Sequence, residues 1–320
     1  MAQPDDHQVG RIRRIRRDGF SPQAFTTIAV TALVLLGAIV VTGGAVRLTG
    51  SGLGCTDWPN CNDARFVDIS SKHSAIEQLN RLFTFLVGVG VLLAAIAAWY
   101  RRPRRRDIVV LGAVVLGGVP AQGIVGAIVV WADLHPATVQ LHFILSMVLV
   151  WAAVLLLVRS READGGSRVV VVDRRTVTLV RLVVALTALT VVLGTVVTGT
   201  GPHAGDEKAK RFFGTTDDID GEALRWVTRL HGASVWLAVV AVLALAWAVR
   251  RSPDRRALEG PLSAWMIVAL VQGAVGYVQY SLGLPVGLVI IHLAGATTLC
   301  GVTAWLWNST TAPEPLPEHR

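Results

Sequence analysis

The feature that most constrains this chain is a series of eight apolar stretches, each long enough to cross a lipid bilayer as an α-helix. A spanning helix needs about 20 mostly apolar residues, because backbone groups in hydrocarbon must satisfy one another's hydrogen bonds. With 52% hydrophobic and only 16% charged residues, the chain of 320 residues has the composition of a membrane protein. The predicted spans cover residues 25–46, 75–100, 108–131, 137–158, 177–198, 223–249, 262–282 and 285–307.

The arginines predict how these spans are oriented. They concentrate before the first span and in every second loop after it, within residues 11–17, 101–106, 159–175 and 250–256. Short loops rich in Lys and Arg stay in the cytoplasm, so we expect a multi-pass protein of a bacterial plasma membrane with both termini cytoplasmic. The net charge of +8 then reflects topology and contact with anionic membrane lipid. Because the arginines are divided among separate loops, we predict no nucleic-acid partner.

The three cysteines fall in two different environments. Cys55 and Cys61 lie in the first outer loop, where thiols can oxidise. A disulfide is expected there, with two unpaired or redox-active thiols as the alternative, since the spacing alone does not fix the geometry. Cys300 lies inside the eighth span, and we interpret it as a small buried apolar residue.

The chain contains an internal repeat at an offset of 150 residues. Gln122, Gly123, Val125 and Gly126 align with Gln272, Gly273, Val275 and Gly276, as do Leu134 with Leu284, Val139 with Val289 and His142 with His292. The fold class is therefore predicted as all-α: eight transmembrane helices forming two four-helix bundles related by a pseudo-twofold axis along the membrane normal. The glycines of the repeated motif either let helices pack closely or leave room for a flat ligand.

The repeat also sets the predicted domain boundaries. They are a cytoplasmic basic tail at 1–24, an N-terminal half at 25–158, a cytoplasmic linker at 159–176, a C-terminal half at 177–307 and a cytoplasmic tail at 308–320. The sequon Asn308-Ser309-Thr310 falls in the last of these, so it is discounted as a glycosylation site.

Three histidines lie inside the predicted spans at a common depth. His142, His231 and His292 are each roughly two turns from the outer end of their helix. Ionisable groups are costly in a bilayer and are functional candidates by default. Two imidazoles from facing helices ligate haem iron well, which makes His231 and His292 a candidate axial pair. Hydrogen bonding between helices is the alternative for each histidine alone.

The first half offers only one such histidine. An offset of 151 residues places Asn80 opposite His231, so His142 has no histidine partner. Iron in that half would keep an open or weakly held position. This asymmetry predicts divided labour, in which one half passes electrons and the other converts a substrate.

Glu77 lies one helical turn before Asn80 and on the same helix face. Such a carboxylate can move protons or bind a hydroxyl group, and the alternative is a structural ion pair with Arg81 or Lys72. The arginines at the outer helix ends are expected either to pair with haem propionates or to extend to the lipid interface. These are Arg47, Arg81, Arg225 and Arg229.

Three further histidines lie near the outer loops. His203 is expected to be solvent-exposed. For His73 and His135, weak ligation, proton relay and exposure all remain open.

The run Thr49-Gly50-Ser51-Gly52-Leu53-Gly54-Cys55-Thr56-Asp57-Trp58-Pro59-Asn60-Cys61 closely resembles the first outer loop of the haem A synthases, the CtaA/Cox15 family. The resemblance continues through Glu77, Arg81, both Gln-Gly-x-Val-Gly segments and the three intramembrane histidines. It covers the eight-helix core and omits only the tails.

The resemblance implies an oxidoreductase that converts the C8 methyl group of haem O to a formyl group by two successive hydroxylations, giving haem A for terminal oxidases. It implies that His231 and His292 ligate the iron of a resident haem b, that His142 faces the substrate haem, and that Glu77 is catalytic. Cys55 and Cys61 match the family's outer-loop cysteine pair. Asn80, Arg81 and Arg229 are the remaining candidates for contacts with haem.

The sequence departs from the family pattern at two places. Many members carry a histidine where this chain has Asn80, and many have a second cysteine pair that residues 199–220 lack. The Asn-Arg pair at positions 80 and 81 is similar to actinobacterial-type members. A di-haem b-type quinol oxidoreductase and a non-catalytic haem carrier or oxidase assembly factor are the alternatives. A haem O synthase is a possible partner, and the sequence does not identify the electron donor.

Overall fold

A computed structural model of the protein describes residues 19–203, 205, 209–213, 221–253 and 255–314. Most of the predicted basic tail therefore lies outside the described residues. Within the described ranges, eight helices are long and apolar enough to cross a membrane, which confirms the predicted multi-pass all-α fold. They are α1 (Pro22–Leu48), α2 (Lys72–Tyr100), α3 (Arg106–Trp131), α4 (Pro136–Ser160), α5 (Arg174–Thr200), α6 (Glu222–Val249), α7 (Arg255–Ser281) and α8 (Val286–Asn308).

Most helices extend beyond the predicted apolar runs because polar residues form their ends. Ser21 caps α1 by accepting a hydrogen bond from the Ala24 N–H at 3.2 Å, as expected for a serine N-cap. The largest difference is α7, which begins at Arg255 and contains Pro261 in its second turn. Hydropathy detects the part of a helix that can lie in lipid, whereas hydrogen bonding continues the helix into the charged region.

The helices form two bundles that meet at α4 and α8. Within each half, consecutive helices pack together and the first contacts the fourth. Between the halves, α4 packs on α8 and α5, and α1 packs on α8. Cys300 lies buried in this interface, with its sulfur atom 3.5 Å from the carbonyl oxygen of Met147. The prediction that Cys300 is a buried apolar residue is confirmed.

The turns that lead into α4 and α8 share an uncommon backbone conformation. Leu134 and Leu284, the pair aligned by the repeat, have φ angles of 55° and 60°. Non-glycine residues seldom adopt this left-handed conformation. The N–H of Leu134 donates to the Val129 carbonyl at 3.0 Å, and that of Leu284 donates to the Gln279 carbonyl at 2.7 Å. The turns that precede α4 and α8 therefore have the same backbone conformation in the two halves.

A small antiparallel sheet that was not predicted from the sequence lies at the end of the bundle that carries the basic loops. Strand β1 (Arg168–Val170) pairs with β2 (Thr311–Pro313), so the linker between the halves is joined to the segment after α8. Such three-residue strands carry too little periodicity to be recognised. Asn308 is buried beside them and donates to Glu162 at 2.7 Å, which agrees with its dismissal as a glycosylation site.

Several arginines at this end are neutralised by acidic residues. Arg101 is buried and pairs with Asp164 at 2.8 Å, and Arg105 pairs with Asp107 at 2.8 Å. Arg168 pairs with Glu162. These three arginines are therefore held within the protein by partly buried ion pairs.

Candidate functional site

One cavity of about 1930 Å³ extends through both halves of the molecule. His142, His231 and His292 all line it, together with Asn80 and Glu77. Pockets for small ligands usually occupy about 300–1,000 Å³. The cavity therefore has room for more than one ligand of ordinary size, and all the predicted intramembrane site residues meet in it.

His231 and His292 face each other from α6 and α8. Their ring centroids are 6.4 Å apart and the ring planes are inclined by 78°. An imidazole nitrogen binds a metal ion at about 2 Å and lies about 1 Å from its ring centre, so two axial imidazoles place their centroids roughly 6 Å apart. The observed separation fits a metal ion held between the two rings.

The imidazole of His231 is oriented from the neighbouring helix α5. Its Nδ1 atom donates to the carbonyl oxygen of Thr190 at 3.0 Å, which leaves Nε2 with a free lone pair. The Ser234 hydroxyl links the Thr190 side chain, at 3.0 Å, to the His231 carbonyl, at 2.7 Å. Metal-ligating histidines are usually fixed in one tautomer by such a hydrogen bond from the ring nitrogen that does not bind the metal.

The other two intramembrane histidines lack this anchor. In the described part of the chain, the Nδ1 atoms of His142 and His292 are buried without a hydrogen-bond partner. Leaving a buried polar atom unsatisfied costs about 1–3 kcal/mol. Both side chains line the cavity, so each imidazole can contact a ligand there with the rest of its ring.

The repeated Gln-Gly-x-Val-Gly motif supports a histidine in each half. The Gln122 amide donates to the His142 carbonyl at 3.2 Å, and the Gln272 amide donates to the His292 carbonyl at 2.9 Å. The second glycine of each motif faces the imidazole edge. A Cβ at Gly126 would lie 3.7 Å from Cε1 of His142, and one at Gly276 would lie 3.3 Å from Cε1 of His292. The motif is visible in the sequence, but the role of its glutamine appears only in the structure.

Two further glycines show that Asn80 occupies the place of His231. A Cβ at Gly194 of α5 would lie 3.1 Å from Cε1 of His231, and one at Gly43 of α1 would lie 3.8 Å from Nδ2 of Asn80. Gly43 and Gly194 are separated by the same 151 residues as Asn80 and His231. The Oδ1 atom of Asn80 is buried without a partner in the described residues. This glycine pair was visible in the sequence at the offset of 151 residues that aligns Asn80 with His231, but it was not predicted to matter.

Glu77 both lines the cavity and fastens the first outer loop. One of its carboxylate oxygens pairs with Arg81 at 2.7 Å, and the other accepts the Cys55 N–H at 2.7 Å. Arg81 continues to the carbonyl oxygens of Asp57 and Asn60, at 3.0 and 3.1 Å. The ion pair with Arg81, one of the alternatives for Glu77, is therefore present. It does not remove the carboxylate from the cavity wall.

The predicted disulfide between Cys55 and Cys61 is confirmed. It lies in the first outer loop, residues 49–71, whose residues Trp58, Pro59 and Phe66 border the cavity. Within this loop, hydrogen bonds from Ser70, followed by the charge of Arg65, lower the pKa of the Asp68 carboxyl group against the effect of burial. A charged Asp68 also accepts a hydrogen bond from Asn62 at 2.8 Å. The loop is thus held in shape at the outer edge of the first half.

The remaining predicted arginines also border the cavity. Arg47, Arg225 and Arg229 line it, and the Arg229 guanidinium lies 5.7 Å from the centre of the Trp226 ring. A row of cations at the outer end of an apolar cavity can bind the carboxylates of a ligand whose body lies deeper.

The histidines of the outer loops have structural contacts. The prediction that His203 is exposed is wrong: it is half-buried, lines the cavity, and its Nε2 lies 2.7 Å from the Leu284 carbonyl oxygen. His73 contacts the Ser51 hydroxyl at 2.9 Å. His135 caps α4 by accepting the Ala137 N–H at 3.3 Å. Neither of these two belongs to the cavity lining.

These features define a class of protein. It is a polytopic helical membrane protein with a repeated four-helix half, histidines at matched positions, and a large, mostly apolar cavity lined by histidines and arginines from both halves.

Comparison with known proteins identifies the family. The family model COX15-CtaA, described as "Cytochrome oxidase assembly protein", matches residues 26–78 and 67–205. The chain belongs to this family, and the resemblance drawn from the outer loop is confirmed. The actinobacterial-type subtype stays a prediction.

Relatives with a stated name agree with this assignment. A protein of Rhizorhabdus wittichii named heme A synthase is 27% identical over 348 residues, covering 92% of this chain and 96% of its own. A heme A synthase of Listeria welshimeri is 25% identical over 290 residues, covering 87% and 92%. One of Lysinibacillus sphaericus is 33% identical over 130 residues, covering 40% and 42%.

Proposed function

We propose that this chain is a haem A synthase, an oxidoreductase that converts the C8 methyl group of haem O to a formyl group. Family membership and the relatives named heme A synthase support the activity. The observation that carries the proposal is a cavity shared by two unlike halves, one with facing imidazoles 6.4 Å apart and the other with His142 and Asn80. Two permanent bis-imidazole sites would not need this asymmetry.

The second half is proposed to hold a resident haem b between His231 and His292. When bound, this group supplies reversible one-electron transfer. The chain contributes an imidazole fixed by Thr190 at 3.0 Å and a second one backed by Gln272. Arg225 and Arg229, at the outer edge of the cavity, would pair with its carboxylates.

The first half is proposed to hold the substrate. His142 faces haem O, and the amide of Asn80 takes the place of a second imidazole, so one side of the substrate stays open for chemistry. Arg81 and Arg47 border the same part of the cavity, and Arg81 is fixed by Glu77 at 2.7 Å. The first outer loop limits the access of water from the outside, since its residues Trp58 and Phe66 border the cavity.

Glu77 is proposed to take up and pass on protons at the cavity wall while the methyl carbon is oxidised. In each of two successive hydroxylations, one oxygen atom of dioxygen enters a C–H bond, and the other leaves as water with two protons and two electrons from the external donor. The resulting gem-diol loses water to form the aldehyde. The Glu77 carboxylate lies on the cavity wall and is connected to the outer loop by the Cys55 N–H at 2.7 Å. A proton taken up there has a short path to the outer surface.

The orientation in the membrane follows from the arginines. We propose that the protein lies in a bacterial plasma membrane, with the two-stranded sheet and both termini in the cytoplasm. The cavity and the Cys55–Cys61 disulfide then face the outside. A haem O synthase is the partner that would supply the substrate, and the electron donor is not identified by any of these residues.

The test is to produce the full chain with a haem O synthase in a bacterium that makes no haem A of its own. The haems of the purified protein are extracted, separated by chromatography and identified as pyridine haemochromes. We expect haem A together with haem b. Protohaem as the sole haem would instead indicate the di-haem oxidoreductase, and unchanged haem O would indicate a carrier.

A further inference from the structure

We infer that Gly123 and Gly273, the first glycines of the repeated motif, form the surfaces against which the two haem macrocycles lie, one in each half. This inference rests on the haem sites of the proposed function. It concerns positions that do not ligate iron and that the ion pairs and hydrogen bonds of the site do not involve.

Both glycines lie on the cavity wall one turn from an imidazole-contacting glycine. Gly273 precedes Gly276 by three residues on α7, and Gly123 precedes Gly126 on α3. Residues three apart share a helix face. Gly276 is the one whose Cβ would lie 3.3 Å from His292, so Gly273 lies beside the space next to that imidazole.

Packing of the protein against itself does not account for these two glycines. A Cβ added at Gly123 or Gly273 would meet nothing within 4 Å, although both residues line the cavity. Gly118 of the same helix is different, because its Cβ would lie 2.1 Å from a methyl group of Leu149. Gly118 therefore packs against a neighbouring helix, whereas Gly123 and Gly273 border open cavity space.

A glycine in the middle of a helix weakens that helix relative to alanine. The repeat nevertheless carries one at the same position in both halves, in each case next to the helix that bears a cavity histidine. The Gln122 and Gln272 amides fix that histidine helix at 3.2 and 2.9 Å. A flat ligand approaching the imidazole would thus pass directly over the glycine backbone, where a methyl group would meet its face.

The two positions should act separately. Gly273 lies in the half with the facing imidazoles and Gly123 in the half with His142 and Asn80. Gly273→Ala is then expected to disturb the resident haem, and Gly123→Ala the substrate haem. Gly117→Ala is the matched control, because a Cβ there also meets nothing within 4 Å but the residue is not part of the cavity lining.

The experiment uses the full chain, purified in detergent after production with a haem O synthase. Each variant is measured for its haem content per protein and its Soret band. Electron paramagnetic resonance gives the low-spin signals, and chromatography identifies the haems. We expect Gly273→Ala to weaken binding of haem b by about tenfold or more, as overpacking of a fitted site does. Gly123→Ala should keep haem b and lose bound haem O, and Gly117→Ala should match the parent protein.

The inference is overturned if Gly273→Ala and Gly117→Ala have the same haem content and spectrum. Size-exclusion chromatography shows whether each variant folds. If Gly273→Ala does not fold while Gly117→Ala does, the added methyl group meets protein, and the inference is also overturned. If the parent protein binds haem but makes no haem A, the proposed function fails and the glycine comparison still decides this inference.

Discussion

The carboxylate of Glu77 lies 2.7 Å from the Arg81 guanidinium and 2.7 Å from the Cys55 backbone N–H. One side chain thus joins helix α2, the disulfide loop and the wall of the cavity. The corresponding residue of the second half, 151 positions later, is Thr228, and that of Arg81 is Gly232. The Glu77–Arg81 ion pair therefore has no counterpart at the aligned positions of the second half, whereas the facing imidazoles belong to the second half.

Replacing Glu77 by Gln should separate its chemical role from its structural one. Glutamine keeps an oxygen that can accept the Cys55 N–H but removes the charge that takes up protons. We expect haem A formation to fall by about 100-fold or more, the usual effect of losing a general base. The rate is measured in membranes supplied with haem O.

Glu77→Ala provides the comparison for this experiment. It should lose activity and also loosen the disulfide loop, seen as faster reduction of Cys55–Cys61 in a gel-shift assay. If Glu77→Gln makes haem A at the parent rate, Glu77 has no proton role.

Replacing either His231 or His292 by Ala should remove the six-coordinate low-spin haem. The ring centroids are 6.4 Å apart, so each ring is placed to bind one side of the iron. The remaining ring cannot take the place of the one that is removed. Optical and electron paramagnetic resonance spectra of the purified variants report the ligation. His73→Ala is the control, since His73 contacts Ser51 and is not part of the cavity lining. Retention of the parent Soret band when both imidazoles are absent would refute the axial pair.

Asn80→His should create a second bis-imidazole site in the first half. The Asn80 amide lies next to Gly43 as the His231 ring lies next to Gly194, and the space at Gly43 is wider, at 3.8 Å against 3.1 Å. Because Asn80 and His142 line the same cavity, a histidine at position 80 is expected to face the iron as His231 does in the second half. We expect an additional low-spin signal when haem is bound, and none for Asn80→Ala. A spectrum unchanged by Asn80→His would show that position 80 does not face the iron.

Removing the disulfide should lower the stability of the outer loop and of the first half. Closing a loop this short contributes about 2 kcal/mol to the free energy of unfolding in the chain-entropy model. Thermal unfolding of the detergent-purified protein, with and without reductant, measures the effect. The parent and Cys300→Ala should both melt earlier in reductant, whereas Cys55→Ser/Cys61→Ser should not respond. Equal melting of the parent in both conditions would contradict the prediction.

The sequence predicted the eight spans because each needs only a local property, a run of apolar residues of sufficient length. It also predicted the repeat, since His142 and His292 align at a fixed offset without any knowledge of contacts. The two-stranded sheet was not predicted, because it does not depend on a local property. The short sheet between residues 168–170 and 311–313 joins segments far apart in the chain, and no local pattern announces such pairing.

Local patterns by themselves thus determined the membrane fold, its two halves and the identity of the candidate ligands. Only the tertiary structure decided which atoms meet: that the His231 and His292 rings are 6.4 Å apart, that Glu77 fastens the disulfide loop, and that His203 turns inward to the Leu284 carbonyl. The physical reason is that helix formation depends on neighbours along the chain, whereas distances between side chains depend on how separate helices pack, which no single stretch of sequence encodes.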